Sequence, residues 1–282
     1  MFNLKWRFLM KKIIIFLIFL IFFTFIYAKY LNPEGFIIKE YTLINKTIPN
    51  SFNGFKIAHF SDTLLKNDYE IERINNVKDS LNELNLDIVI FTGDLIFKNN
   101  NLNDDDLNKL TKYLQEINVN IKKYAIIGDN DKKNIDQYKI IMEKANFTIL
   151  DNNYDYVFYQ DLNPLKIIAV DNNDVVNSLL INEENLNPFY TICLTHYADN
   201  VDFLKDYNFN AIFAGHSLGG QIRVPFIGGI NKKAHADKYL DSYYNLNNIE
   251  IFINNGIGTE ITSYRTFNKP TINLYRFQSD YS

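Results

Sequence analysis

The chain has 282 residues, 47% hydrophobic and 22% charged, with 29 Lys+Arg against 33 Asp+Glu and a formal net charge of -4. This composition excludes an intrinsically disordered chain. No basic run or face follows the N-terminus, which argues against binding by phosphate neutralisation, so no nucleic acid is expected as a partner.

The first predicted element is an apolar segment. Residues 13–28 are continuously apolar apart from Thr24, with Lys5, Arg7, Lys11 and Lys12 before them and Lys29 after. About 16 residues at 1.5 Å each give ~24 Å, short of a ~30 Å hydrocarbon core. Phe8, Leu9 and Met10 lengthen the span if Lys11 and Lys12 snorkel. Tyr27 and Tyr30 suit the far interface. Residues 1–30 are therefore expected to form a single-pass membrane anchor with a basic flank, the N-terminus cytoplasmic and the domain extracytoplasmic. A cleaved signal peptide is the competing reading. Ala28 is the only small residue at that end, and Ile26 two places before it makes a poor small-x-small cleavage site.

Residues 31–53 read as a linker and a first strand at 37–43, and residues 54–277 as one domain. Strand and helix patterns then alternate, with strands at 56–61, 87–92 and 124–127 and helices near 69–84, 105–117 and 135–145. In the second of these helices Leu107, Leu110, Leu114 and Ile117 recur at helical spacing. Asp104, Asp105 and Asp106 sit at its start, where the helix dipole favours acids. From Tyr154 onward strands dominate: 157–159 and 166–170 as a hairpin around Asn163-Pro164, then 190–194, 211–214, 249–253 and 271–277. An α/β first half and a strand-rich second half predict two packed β-sheets flanked by helices. The one cysteine, Cys193, lies in the apolar run 190–194 and reads as a buried small hydrophobe.

Several of these strands end in a potential metal ligand, where α/β folds gather their ligands. They end in Ser61-Asp62, Gly93-Asp94, Gly128-Asp129-Asn130-Asp131, Thr195-His196 and Gly215-His216. A single acid after a strand usually starts a turn or caps a helix. Carboxylates followed by two histidines in series point instead to a Mn, Fe or Zn site. His59, inside a strand, reads as a packed core histidine and His235 as a surface one. Asp131 and Asp199 read as residues that orient ligands, and Arg223 as half of a structural ion pair.

The order of these motifs resembles the calcineurin-like metallophosphoesterase superfamily, most of all its membrane-associated bacterial phosphodiesterase branch. The resemblance is carried by the stretch 54–62, by Thr92-Gly93-Asp94, by Gly215-His216-Ser217-Leu218-Gly219-Gly220-Gln221, and by Asn255-Gly256-Ile257-Gly258-Thr259 followed by Tyr264-Arg265. It spans about 37–277 and implies a four-layer sandwich holding two adjacent metals bridged by Asp94. The first metal would also take Asp62 and two histidines, but Leu64 and Leu218 stand at those positions. The second would take Asp94, Asp129 (where the family has asparagine), His196 and His216, so a set of four survives for one divalent ion. The position of the family's leaving-group acid or phosphate partner is Asn130, which donates a hydrogen bond but is no useful general acid.

The resemblance therefore implies a membrane-anchored hydrolase of phosphate esters working with one metal. Its candidate metal ligands are Asp62, Asp94, Asp129, His196 and His216, and its candidate catalytic residues are Asp62 and Asn130. The alternative is a catalytically inactive descendant that serves as a membrane-tethered binding or scaffold module, with Leu64 and Leu218 closing part of the old cavity.

Overall fold

The computed structural model describes residues 2–33, 35–172, 174, 176, 190–260 and 262–280. Helix α1 (Phe2–Ile26) continues into a wider π-helical turn, Tyr27–Leu31. The large apolar side chains from Phe8 to Phe25 are exposed all round it. Such a helix has no polar face to give to water, and it is long and apolar enough to cross a membrane.

The elements that follow are β1 (Ile37–Asn45), β2 (Lys56–Phe60), α2 (Asp68–Asn82), β3 (Ile88–Phe91), α3 (Asp104–Gln115), β4 (Lys122–Ala125), α4 (Ile135–Lys144) and β5 (Phe147–Ile149). The second half supplies β6 (Tyr154–Val157), β7 (Leu165–Ala169), β8 (Thr191–Thr195), β9 (Ala211–Ala214), β10 (Arg223–Val224), β11 (Gly228–Gly229), β12 (Tyr243–Leu246), β13 (Ile249–Ile253) and β14 (Thr271–Ser279). One sheet has the order β1-β14-β2-β3-β4-β5 and the other β12-β13-β9-β8-β7-β6, while β10 and β11 form a separate hairpin.

The two sheets pack face to face. Ile57, Ile88, Ile90 and Tyr124 of the first meet Ile167, Leu194, Phe213 and Phe252 of the second in a shared core. Alternate residues of the same strands, Ala58, Phe60, Val89 and Phe91, point the other way. There they are covered by Ile71, Ile74, Val77 and Leu81 of α2, by Leu110 and Leu114 of α3, and by Ile141 and Met142 of α4. The outer face of the second sheet is covered by Val201 and Leu204 of a short helix and by Tyr239. The result is the expected pair of packed sheets flanked by helices, each sheet having six strands, a metallophosphoesterase-like fold. Strands buried on both faces read as short apolar runs, which is why most were visible in the sequence.

The hairpin strand expected at 157–159 forms instead at Tyr154–Val157, because Tyr154 pairs with Ile168 and Val157 with Leu165, leaving Phe158 exposed. The short strands β5, β10, β11 and β12 were not expected. Parallel pairing of β2 with β3 and β4, and of β7 with β8, β9 and β13, brings the C-terminal ends of these strands to one edge of the sandwich.

Candidate metal centre

At that edge the chain turns sharply after each strand. Asp62, Asp94 and His216 have φ values of 49°, 63° and 64°, and Leu64 and Leu218 are left-handed too, at 47° and 51°. Each such left-handed residue costs roughly 1–2 kcal/mol. Backbone bonds between the loops hold the turns: Asp62 N donates to Gly93 O at 2.9 Å and Leu64 N to Asp94 O at 3.1 Å. Gly128 permits the close approach. A Cβ there would lie 2.4 Å from both the amide nitrogen and Oδ1 of Asp94.

Four side chains converge. One ligand atom from each of Asp62, Asp94, His196 and His216 lies within 4.8 Å of all the others, and all four residues are buried. His196 Nδ1 donates to Thr92 O at 2.7 Å, which leaves Nε2 facing the group. His216 Nε2 donates to Ala234 O at 3.0 Å, which leaves Nδ1 facing it. These two inward nitrogens are 3.2 Å apart. Two nitrogen ligands of one tetrahedral ion at about 2.0–2.1 Å stand ~3.3 Å from each other, so the pair fits a shared cation. Asp62 Oδ2 accepts from Ser61 Oγ at 2.5 Å and from His216 N at 2.9 Å. Its Oδ1 is buried with no hydrogen-bond partner among the described residues. An anionic oxygen in that state calls for a positive partner. The donor set thus suits a divalent ion of the Mn, Fe or Zn kind.

The charges agree with the geometry. Burial raises the Asp62 carboxyl, against the pull of His196 and Lys233. Burial also opposes ionisation of Asp94, but His196 and the two Asn130 bonds outweigh it and hold Asp94 below the usual carboxylate range. Burial would lower His196, yet Asp94 3.5 Å away carries it up to about 9. Burial, aided by His196 and Lys233, pushes His216 down to about 3. The negative charge of Asp94 that favours a proton on His196 would equally favour a cation beside it.

Asp129 stands outside the four, its carboxylate accepting the hydroxyl of Tyr197. Asn130 gives both its backbone N–H and its side-chain Nδ2 to Asp94, each at 2.7 Å, and its Oδ1 accepts from Lys98 N. Leu64 and Leu218 are buried together against Phe97 in a small apolar cluster of their own. Asp131 accepts the amides of Asp94, Leu95 and Gly128 and so orients the Asp94 loop. Asp199 holds the amides of Asp237 and Lys238 rather than a ligand. Arg223 pairs with Asp241. His59 is buried with Thr92 and Tyr275, and His235 is exposed beside the Tyr197 ring.

Sequence reasoning missed Tyr197, whose ring lies 5.0 Å from that of His216, and Lys233, which donates to His216 O at 2.8 Å. Tyr197 directly follows a candidate ligand, which was the one signal available; Lys233 had none. A cavity of about 250 Å³ opens beside His196, floored by Ile126, Ile127 and Val170 and rimmed by Lys132 and Asp171. A second, of about 350 Å³, runs from His216 past Asn130 to Lys98, Lys132 and Lys133.

Comparison with known proteins bears on this arrangement. A profile described as calcineurin-like phosphoesterase matches residues 55–220, well over half of the chain. The chain is 30% identical over 260 residues to the uncharacterized metallophosphoesterase YkuE of Bacillus subtilis, covering 90% of this chain and 89% of that protein. It is 23% identical over 253 residues to the UDP-2,3-diacylglucosamine pyrophosphatase LpxG of Chlamydia muridarum, covering 72% and 75%. It is 22% identical over 282 residues to the uncharacterized metallophosphoesterase YkoQ of Bacillus subtilis, covering 95% and 100%. With strand ends that gather two aspartates and two histidines in the matched region, the chain belongs to the calcineurin-like phosphoesterase family, whose members are metal-dependent hydrolases of phosphoester bonds.

Proposed function

We propose that this chain is a membrane-anchored phosphoesterase that works with a single divalent ion. The observation that carries the reading is the pair of imidazoles whose N–H groups are committed to backbone carbonyls, so that both free nitrogens converge with Asp62 and Asp94. A purely structural cluster gains nothing from that convergence. Asp62, Asp94, His196 and His216 would hold the ion, and Asp129 would contribute only by leaving Tyr197. Bound there, the ion supplies Lewis-acid polarisation of a phosphoryl oxygen and acidifies water at neutral pH.

The chain's own residues position the rest. Asn130 fixes both oxygens of Asp94, and Asp62 Oδ1, the oxygen without a hydrogen-bond partner among the described residues, is the one left to face the ion. Lys98, Lys132 and Lys133 offer positive charge to the phosphoryl group. An amide at position 130 gives no proton to the leaving group, a loss typically of about 10²–10⁴-fold. Substrates whose leaving group needs little protonation fit best. One relative is named as a pyrophosphatase, and a phosphate leaving group is of that kind.

The packing of Leu64 and Leu218 on Phe97 favours a second reading, an inactive descendant serving as a membrane-tethered binding or scaffold module. The two separate by measuring metal content and Mn²⁺-dependent turnover of bis(p-nitrophenyl) phosphate by the full chain beside Asp94→Asn. The expected result is one ion per chain and turnover, both lost in the variant. Metal without turnover selects the second reading, and neither metal nor turnover sinks the first.

A further inference from the structure

The apolar length of α1 does not end where the domain begins. Ile222, Tyr264 and Thr266 flank Leu20, Ile21, Phe25 and Ala28 across a gap of about 430 Å³. The Phe25 and Tyr264 rings are 5.4 Å apart, those of Tyr27 and Phe267 5.8 Å, and Arg265 N donates to Ala28 O at 2.9 Å. From Leu20 to Ala28 the helix rises ~12 Å, and a ~30 Å hydrocarbon core needs that rise for the span. This edge of the domain is therefore level with lipid. Ile222 bridges Thr266, and immediately beyond Ile222 the β10–β11 hairpin carries Phe226, which is fully exposed, and Ile227, which is 74% exposed. Ile230 and Phe267 are exposed as well. Lys232 and Lys269 each stand two places after such a residue, and Lys29 lies in the turn that follows α1; all three are exposed, as cations reaching headgroup phosphates would be.

We propose that the β10–β11 hairpin and the Phe267 turn are a second membrane contact, seating this edge of the domain in the bilayer that α1 enters. The partner is the lipid surface itself. Apolar tips beside an apolar helix, flanked by lysines, have the chemistry of an interfacial insertion. The contact would also set the height of the metal group, because the chain from Ile230 reaches Ala234, the hydrogen-bond partner of His216, in at most about 14 Å.

This inference rests on α1 being an uncleaved anchor, and the test separates the two. The full chain is placed in vesicles of phosphatidylglycerol and phosphatidylethanolamine with brominated acyl chains. Its single tryptophan, Trp6, is changed to Phe, and either Phe226→Trp or Leu162→Trp is added. Leu162 is 88% exposed and adjoins β6, at the sheet edge opposite β12 and the hairpin. Intact mass and flotation with the vesicles report the anchor. Emission from the Phe226→Trp chain is expected to fall about twofold as bromines reach it at interfacial depth, while the Leu162→Trp chain is unaffected. A chain that fails to float, or is shortened, defeats the anchor reading. A floating chain whose Phe226→Trp emission is not quenched, including one shielded by a second copy, overturns the hairpin contact.

Discussion

Leu64 and Leu218 keep left-handed backbones that nothing in a leucine side chain requires. The conformation is imposed by the loops that aim Asp62 and His216, so an imidazole at either position would point toward the group. In a Leu64→His, Leu218→His chain the metal content, read by plasma emission spectroscopy, is expected to rise from about one ion to about two. A content that stays at one would mean that Phe97 keeps the space closed. His59 poses a different test. Burial pushes it down to about 3, whereas the unfolded chain titrates near 6.5. Below pH 6.5 the unfolded state takes up a proton that the native state refuses. The stability this neutral histidine leaves intact above pH 6.5 is therefore lost toward pH 3, at up to about 1.4 kcal/mol per pH unit. A His59→Gln chain lacks that loss, so its stability deficit in urea should shrink between about pH 7 and pH 5. A constant deficit would sink the assignment.

Among the elements, the loop 254–268 does most to support the centre. The Arg265 guanidinium is fully buried and donates to the carbonyls of Asn255, Gly256, Gly258 and Asn268. The same loop sends Ile257 N to Ser61 O and Gly258 N to Asp62 O. Arg265→Met leaves several carbonyls unpaired at about 1–3 kcal/mol each. It should lower the melting temperature and also weaken metal binding; a melting shift with unchanged metal affinity would detach the loop from the site. Helix α3 shows what was legible at this scale. Its apolar stripe and its acidic start were plain in the sequence, while the Asn103 capping box that begins it was not read. Strands of two to four residues such as β10, β11 and β12 are too short for an alternation to show.

In the whole molecule, a cation bound at the centre would compete with the proton on His196. With His196 raised to about 9 by Asp94, a metal must displace a proton at neutral pH. Metal affinity is therefore expected to rise about tenfold per pH unit up to about pH 9 and then level, as titration calorimetry with Mn²⁺ would show. A flat profile from pH 6 to 9 would remove His196 from the site. The sequence by itself determined the apolar N-terminal helix, most strands of both sheets, and the placing of acids and histidines at strand ends. Each of these is a local property, because a strand buried on two faces must be apolar and the residue after it falls on the sheet edge. Only the tertiary structure decided that Asp62 joins the two histidines while Asp129 turns to Tyr197, which imidazole nitrogens face inward, and that α1 lies against 264–267. Those outcomes depend on partners such as Thr92 with His196 and Asp62 with His216, 104 and 154 residues apart in the chain, which only the packing of one sheet on the other brings together.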